Sequence, residues 1–177
     1  MDAGSRFEAL YRAHAGAVLT YVRRRSDVDG ADDLVAEVFL VAWRRLGDVP
    51  EDPLPWLLGV ARRVLANRRR GASRDAALLD RITFEPASVA SAESAGPESA
   101  RAIVRALSAL RESDREALLL VAWEGLSPGQ AATVVGIRPN TFAARLSRAR
   151  RRFAQALAAD GDRPPQARSS LTAEVVP

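Results

Sequence analysis

The stretch Ser127–Phe153, SPGQAATVVGIRPNTFAARLSRARRRF, decides how this chain is read. Ser127, Pro128 and Gln130 stand in the order a helix start requires. A hydroxyl accepts a free amide, a proline fits the first turn, and a glutamine reaches back to the cap. AATVV is therefore expected to be helical until Gly136 breaks it. Pro139 then starts another helix, with Phe142, Leu146, Ala149, Phe153 and Leu157 along one side. Ala132 lies four residues before the glycine and Phe142 six after it. The small residue lets two helices approach and the large one seals them, as in a helix-turn-helix.

The second of these helices carries Arg138, Arg145, Arg148, Arg150, Arg151 and Arg152, with no acid between Arg138 and Phe153. Phosphate attraction combined with base-edge contacts from the early turns is the physical design of a recognition helix in a major groove. The plainer alternative is a helical hairpin with a basic, solvated face. Upstream, Pro97 opens a helix containing Ile103, Val104, Leu107 and Leu110. Ser113-Asp114-Arg115-Glu116 has capping-box spacing for a further helix through Trp123.

The N-terminal block is helical too. Phe7, Leu10, Tyr11, His14, Val18, Tyr21 and Val22 recur at three- and four-residue spacing, in a helix ending near Arg23-Arg24-Arg25. Asp29, Asp32 and Asp33 are placed to cap a second helix through LVAEVFLVAWRRL and to oppose its positive terminus. On it Leu34, Val38, Val41 and Phe39 suit a core, while Asp33, Glu37, Leu40 and Arg44 share another face. That second face is either solvated or a partner surface. After the proline-rich GDVPEDPLPW, Pro55 suits the start of a third helix, PWLLGVARRVLANRRR. Leu57, Val60, Ala61 and Val64 form its buried stripe and leave Arg63, Asn67 and Arg70 opposite. Trp56 serves equally as a core anchor or as a platform for stacking an unpaired base.

Composition narrows the function classes. The chain has 177 residues, 47% of them apolar, with no run long enough to cross a bilayer and no signal-peptide pattern, so a cytoplasmic protein is expected. It has no cysteine and a single histidine, His14, which removes thiolate chemistry and leaves no transition-metal ligand set. His14 is read as an ordinary helix residue. No metal, cofactor or small-molecule substrate is expected. Phosphate-binding glycine loops, nucleophile elbows and acid/base constellations are absent from the sequence, and Asp32, Asp33 and Glu37 are explained more simply by capping and partner binding than by catalysis. The expectation is a non-enzyme.

All 26 basic residues are arginine, and the net charge is +4. Up to Arg70 there are 12 arginines against 10 acids, from Gly71 to Ala100 there are 2 against 5, and from Arg101 onward 12 against 7. The acidic centre is rich in Ala, Ser, Gly and Pro, with an apolar patch at Leu78, Leu79, Ile82 and Phe84. The expected organisation is all-α: a helical domain over 1–70, a flexible linker over 71–100, a second helical domain with the helix-turn-helix over 101–159, and a disordered tail over 160–177.

DDLVAEVFLVAWRRL followed by PWLLGVARRVLANRRR resembles the second region of extracytoplasmic-function sigma factors of bacterial RNA polymerase. LRESDREALLLVAWEGLSPGQAATVVGIRPNTFAARLSRARRRF resembles their fourth region, and the ordered pair covers most of the chain. The resemblance implies that Asp33, Glu37, Leu40, Trp43 and Arg44 dock on core polymerase. It implies that Trp56, Arg63, Asn67 and Arg70 serve the melting promoter element. It implies that Arg138, Asn140, Thr141, Arg145, Ser147, Arg148 and Arg151 read the distal element as duplex. Promoter DNA, core RNA polymerase and an anti-sigma factor are the implied partners. Ala36 departs from a frequent glutamine, Leu54 and Pro55 replace an aromatic before the tryptophan, and Ala143 and Ala144 stand where polar residues often meet bases. The alternative reading is a helix-turn-helix regulator that binds duplex DNA unaided; the N-terminal motifs favour the sigma factor.

Overall fold

The computed structural model describes residues 2–26, 30–79 and 98–161. Seven α-helices follow in order: α1 (Ala3–Arg23), α2 (Ala31–Arg44), α3 (Pro53–Leu79), α4 (Glu98–Ser108), α5 (Glu112–Ala122), α6 (Pro128–Val135) and α7 (Pro139–Gly161), with a 3-10 turn at Leu46–Asp48. There is no strand among the described residues. The expected all-α architecture is the observed one. The described residues fall into two compact units, one from Met1–Phe84 with Glu124–Phe142, the other from Glu85–Trp123 with Ala143–Pro177.

In the first unit α1, α2 and α3 pack on one another and α6 packs on α3. Asp2 opens α1, its carboxylate accepting the Ser5 amide at 2.7 Å. That hydrogen bond holds the Asp2 carboxyl below its ordinary range. Leu10, Val18, Tyr21 and Val22 of α1 meet the core with Leu34, Val35, Val38, Phe39 and Ala42 of α2. The start of α2 differs from expectation. Its cap is Gly30 at φ 93°, with no side-chain cap; Asp32 and Asp33 occupy the first turn, and Asp29 lies outside the described residues. The positive φ of Gly30 is what asks for glycine; a Cβ there would lie 2.8 Å from the Arg68 guanidinium, the movable end of an exposed side chain.

Helix α3 begins at Pro53, two residues earlier than expected, and continues through Leu79 where a linker was expected from Gly71. The residues beyond Arg70 include Ala72, Arg74, Ala76, Ala77, Leu78 and Leu79, good helix formers with no proline to stop them. Leu57, Val60, Ala61 and Val64 are buried as the periodicity requires, and so are Leu58 and Leu65. Ile82, Phe84, Pro97 and residues 162–177 lie outside the described residues, while Asp160 and Gly161, expected in the tail, end α7.

In the second unit Ala106 and Leu110 at the end of α4, Ala117 and Leu120 of α5, and Leu146 and Ala149 of α7 are buried. Arg115 donates to the carbonyls of Leu107, Ser108 and Leu110 at 2.9, 3.2 and 3.1 Å, satisfying the free end of α4. Ser113 does not cap α5. The helix starts at Glu112 after Arg111, and no side chain bonds the first turn from the cap position. The register is earlier because Asp114 is needed inside, where it is buried and paired with Arg152.

Truncating Leu57, which is wholly buried, removes core volume without an alternative filling group. Leu57→Ala should lower stability by about 2–5 kcal/mol, read as a lower urea midpoint by circular dichroism.

Candidate nucleic-acid and polymerase interface

The helix-turn-helix forms as its sequence requires. Ser127 Oγ accepts the Gln130 amide at 3.2 Å and the Gln130 side chain accepts the Ser127 amide at 2.9 Å, a closed capping box. Gly136, at φ 75°, ends α6 in the left-handed region. The Ile137 amide returns to the Ala132 carbonyl at 3.1 Å and the Gly136 amide to that of Thr133 at 3.2 Å, so the last carbonyls are satisfied. Ala132 and Phe142 are both buried, as a small residue and a seal require.

Along α7 the buried side is Phe142, Leu146 and Ala149. Asn140, Thr141, Ser147, Arg148, Arg150 and Arg151 are exposed, as is Arg138 just before the helix, and Arg145 is half-buried. Thr141, Arg145 and Arg148 recur at helical spacing, so the early turns carry both polar and cationic groups on one surface. Arg152 is the exception in the arginine run. It turns back to the buried Asp114 carboxylate, and its charge is committed to holding α7 against α5.

On α3, Arg63, Asn67 and Arg70 are exposed and Trp56 is half-buried. Asn67 Oδ1 accepts from Arg70 at 2.5 Å, so two of the expected melting-element residues are held together. The neighbouring arginines are exposed as well: Arg69 donates to the Arg25 carbonyl at 2.8 Å, and the Arg68 guanidinium lies near Gly30.

The open face of α2 carries two exposed large hydrophobic residues among charged ones. Asp33, Glu37 and Arg44 are exposed, with Leu40 48% and Trp43 46% accessible. Trp43 does not hang free. Its ring meets Phe7 of α1 edge-on at 5.1 Å, Phe7 meets Phe39 at 6.3 Å, and Phe39 meets Tyr11 at 4.7 Å. These tilted and edge-to-face contacts hold the indole in place. Sequence reasoning missed the role of Phe7 and Tyr11. The signal was there in two aromatic pairs at four-residue spacing, Phe7/Tyr11 on α1 and Phe39/Trp43 on α2.

Residues 10–75 match the family Sigma-70 region 2, and residues 100–153 match Sigma-70, region 4. The ECF RNA polymerase sigma factor SigC of Mycobacterium tuberculosis (strain CDC 1551 / Oshkosh) is 32% identical over 164 residues, covering 90% of this chain and 85% of SigC. This chain belongs to the ECF sigma factors. The probable RNA polymerase sigma factor RfaY of Xanthomonas campestris pv. campestris is 34% identical over 70% of the chain, which spans 33% of RfaY. Among solved structures, the sigma factor RpoE of Bartonella quintana, in complex with the anti-sigma factor NepR, superposes with a TM-score of 0.64 at 25% identity, covering 89% of this chain and 98% of RpoE. An ECF sigma factor is an RNA polymerase subunit for transcription initiation, and the stand-alone regulator falls away. Sigma factors are not enzymes. Among the described residues no helix is long and apolar enough to cross a membrane.

Arg152 and its exposed neighbour Arg151 separate structural from surface charge. Arg152→Ala leaves a buried carboxylate unpaired and should cost about 1–3 kcal/mol. Arg151→Ala should stay within about 0.5 kcal/mol in the same thermal unfolding measurement.

Proposed function

We propose that this sigma factor divides promoter recognition between its two family regions and joins polymerase through α2. In this reading residues 1–70 form the polymerase-binding and melting module, 71–100 connect it onward, 101–159 read the distal element, and 160–177 form a tail. The observation that carries it is the α2 face, where half-exposed Leu40 and Trp43 sit among Asp33, Glu37 and Arg44. An aromatic anchor rimmed by charge is the composition of a protein–protein contact centre. A solvated helix face has no use for a tryptophan braced by Phe7.

Trp56, Arg63, Asn67 and Arg70 on α3 would take the unpaired strand, the indole stacking a base and the guanidinium groups holding phosphates. Arg138, Asn140, Thr141, Arg145, Ser147, Arg148 and Arg151 would enter a major groove. There Arg145 suits a guanine edge, and Arg138, Arg148 and Arg151 suit phosphates. Alanines at 143 and 144 make room for close approach and can meet thymine methyl groups. The sigma reading places the protein in the cytoplasm with the polymerase. An anti-sigma factor is the further partner, since the similar RpoE is seen bound by one.

Two substitutions test the division. Glu37→Arg or Trp43→Ala should weaken association with core polymerase by about tenfold or more in a fluorescence titration and leave duplex DNA affinity unchanged. Arg148→Ala should do the reverse, and should reduce the slope of log K against log salt by about 0.9.

A further inference from the structure

Among the described residues Asp114 of α5 is the one buried charged group, its side chain 6% exposed, and Arg152 of α7 donates to its carboxylate. Stability alone does not account for such a pair. Desolvation of the carboxylate offsets much of what the partner contributes, and two apolar side chains in the same space would hold the helices as well. What an ion pair adds is direction. A charge-assisted hydrogen bond fixes one geometry, while apolar contacts let surfaces slide over each other.

The place of the bond on α7 gives that direction a use. With about 100° between successive residues, the buried stripe of Phe142, Leu146 and Ala149 is centred about 90° around the helix from Arg152. Arg152 stands on the flank instead, about 20° from Arg145 and about 40° from Arg148. A helix held only along its apolar stripe can roll about its axis; one also held on its flank cannot. The anchor has a rigid mount. Arg115, next to Asp114, donates to the carbonyls of Leu107, Ser108 and Leu110 and so ties the start of α5 to the end of α4. A roll of about 20° would shift a group at the surface of α7, about 6 Å from the axis, by about 2 Å. That is more than a base-edge hydrogen bond tolerates. Attraction to phosphates survives it, because it needs charge near the backbone rather than one orientation.

We propose that Asp114 and Arg152 are positioning residues for promoter choice: their bond sets the roll of α7, so that Arg145 and its neighbours meet base edges in one register, and Arg152 itself makes no contact with DNA. The proposal rests on the reading of α7 as the helix that enters the duplex. The last arginine of the run thus aims the ones before it.

Holoenzyme reconstituted from core polymerase and the full-length chain tests this on a promoter fragment recovered from its own mapped start sites and on the same fragment with the distal element scrambled. The ratio of the two affinities measures discrimination. Asp114→Asn, which keeps the shape and removes the charge, and Arg152→Gln should each lower that ratio about fivefold or more, the worth of one lost base contact. Affinity for the scrambled fragment should be unchanged, and Arg152→Lys, which keeps a cation for Asp114, should recover most of the ratio. The slope of log K against log salt should stay the same in Arg152→Gln and fall by about 0.9 in Arg148→Gln. All variants are compared at a temperature where circular dichroism shows them folded; Asp114→Asn is the milder change and carries the test if Arg152→Gln does not fold. An unchanged ratio overturns the positioning role. Equal loss on both fragments marks a pair that only holds the fold, and overturns it as well. A slope lowered by Arg152→Gln as much as by Arg148→Gln makes Arg152 a phosphate contact, against the proposal. If Arg148→Gln changes neither slope nor affinity and the parent does not distinguish the two fragments, the duplex-reading assignment of α7 fails, and the positioning role with it.

Discussion

From Leu57 to Ala61 every residue of α3 is buried, so this part of the helix has neighbours on all sides. A helix in a three-helix bundle needs one apolar stripe; one that is apolar all round needs a further cover. Helices α1 and α2 supply the first side and α6 the other. The arrangement fixes α2 so that its remaining face, with Leu40 and Trp43, is presented outward. It also places Gly59 of α3 under the backbone of α6. Both the outward face of α2 and the position of α6 follow from how this one helix is surrounded.

Charge is divided between architecture and availability. Arg24, Arg25, Arg69, Arg115 and Arg152 are engaged with carboxylates or carbonyls and hold helix ends in place. Arg63, Arg138, Arg148, Arg150 and Arg151 stay exposed. An all-arginine inventory suits both tasks, because the planar guanidinium bonds several carbonyls at once and equally matches phosphate and guanine.

The local signals were legible because their chemistry is local. Ser127 with Gln130, Gly136 and Pro139 each act within one turn of backbone, and the structure uses all of them. The signals that misled were overruled by tertiary packing. Ser113 has the spacing of a cap, but Asp114 must be inside to meet Arg152, and the helix start moves accordingly. Arg152 looked like one more groove arginine because its partner lies 38 residues away. Gly59 carries no signal in the sequence, because the α6 backbone that lies against it belongs to a distant stretch of the chain. The exposed α2 face was legible as two-sided, but the brace that Phe7 gives Trp43 depends on how α1 crosses α2.

The account's central claim is that this chain confers promoter choice on RNA polymerase. The direct test is to add it to sigma-free bacterial core polymerase, transcribe a genomic fragment library and map the 5′ ends. The account predicts stable association and new start sites that share a two-part upstream motif. Duplex DNA binding with no association with core and no new start sites would contradict it.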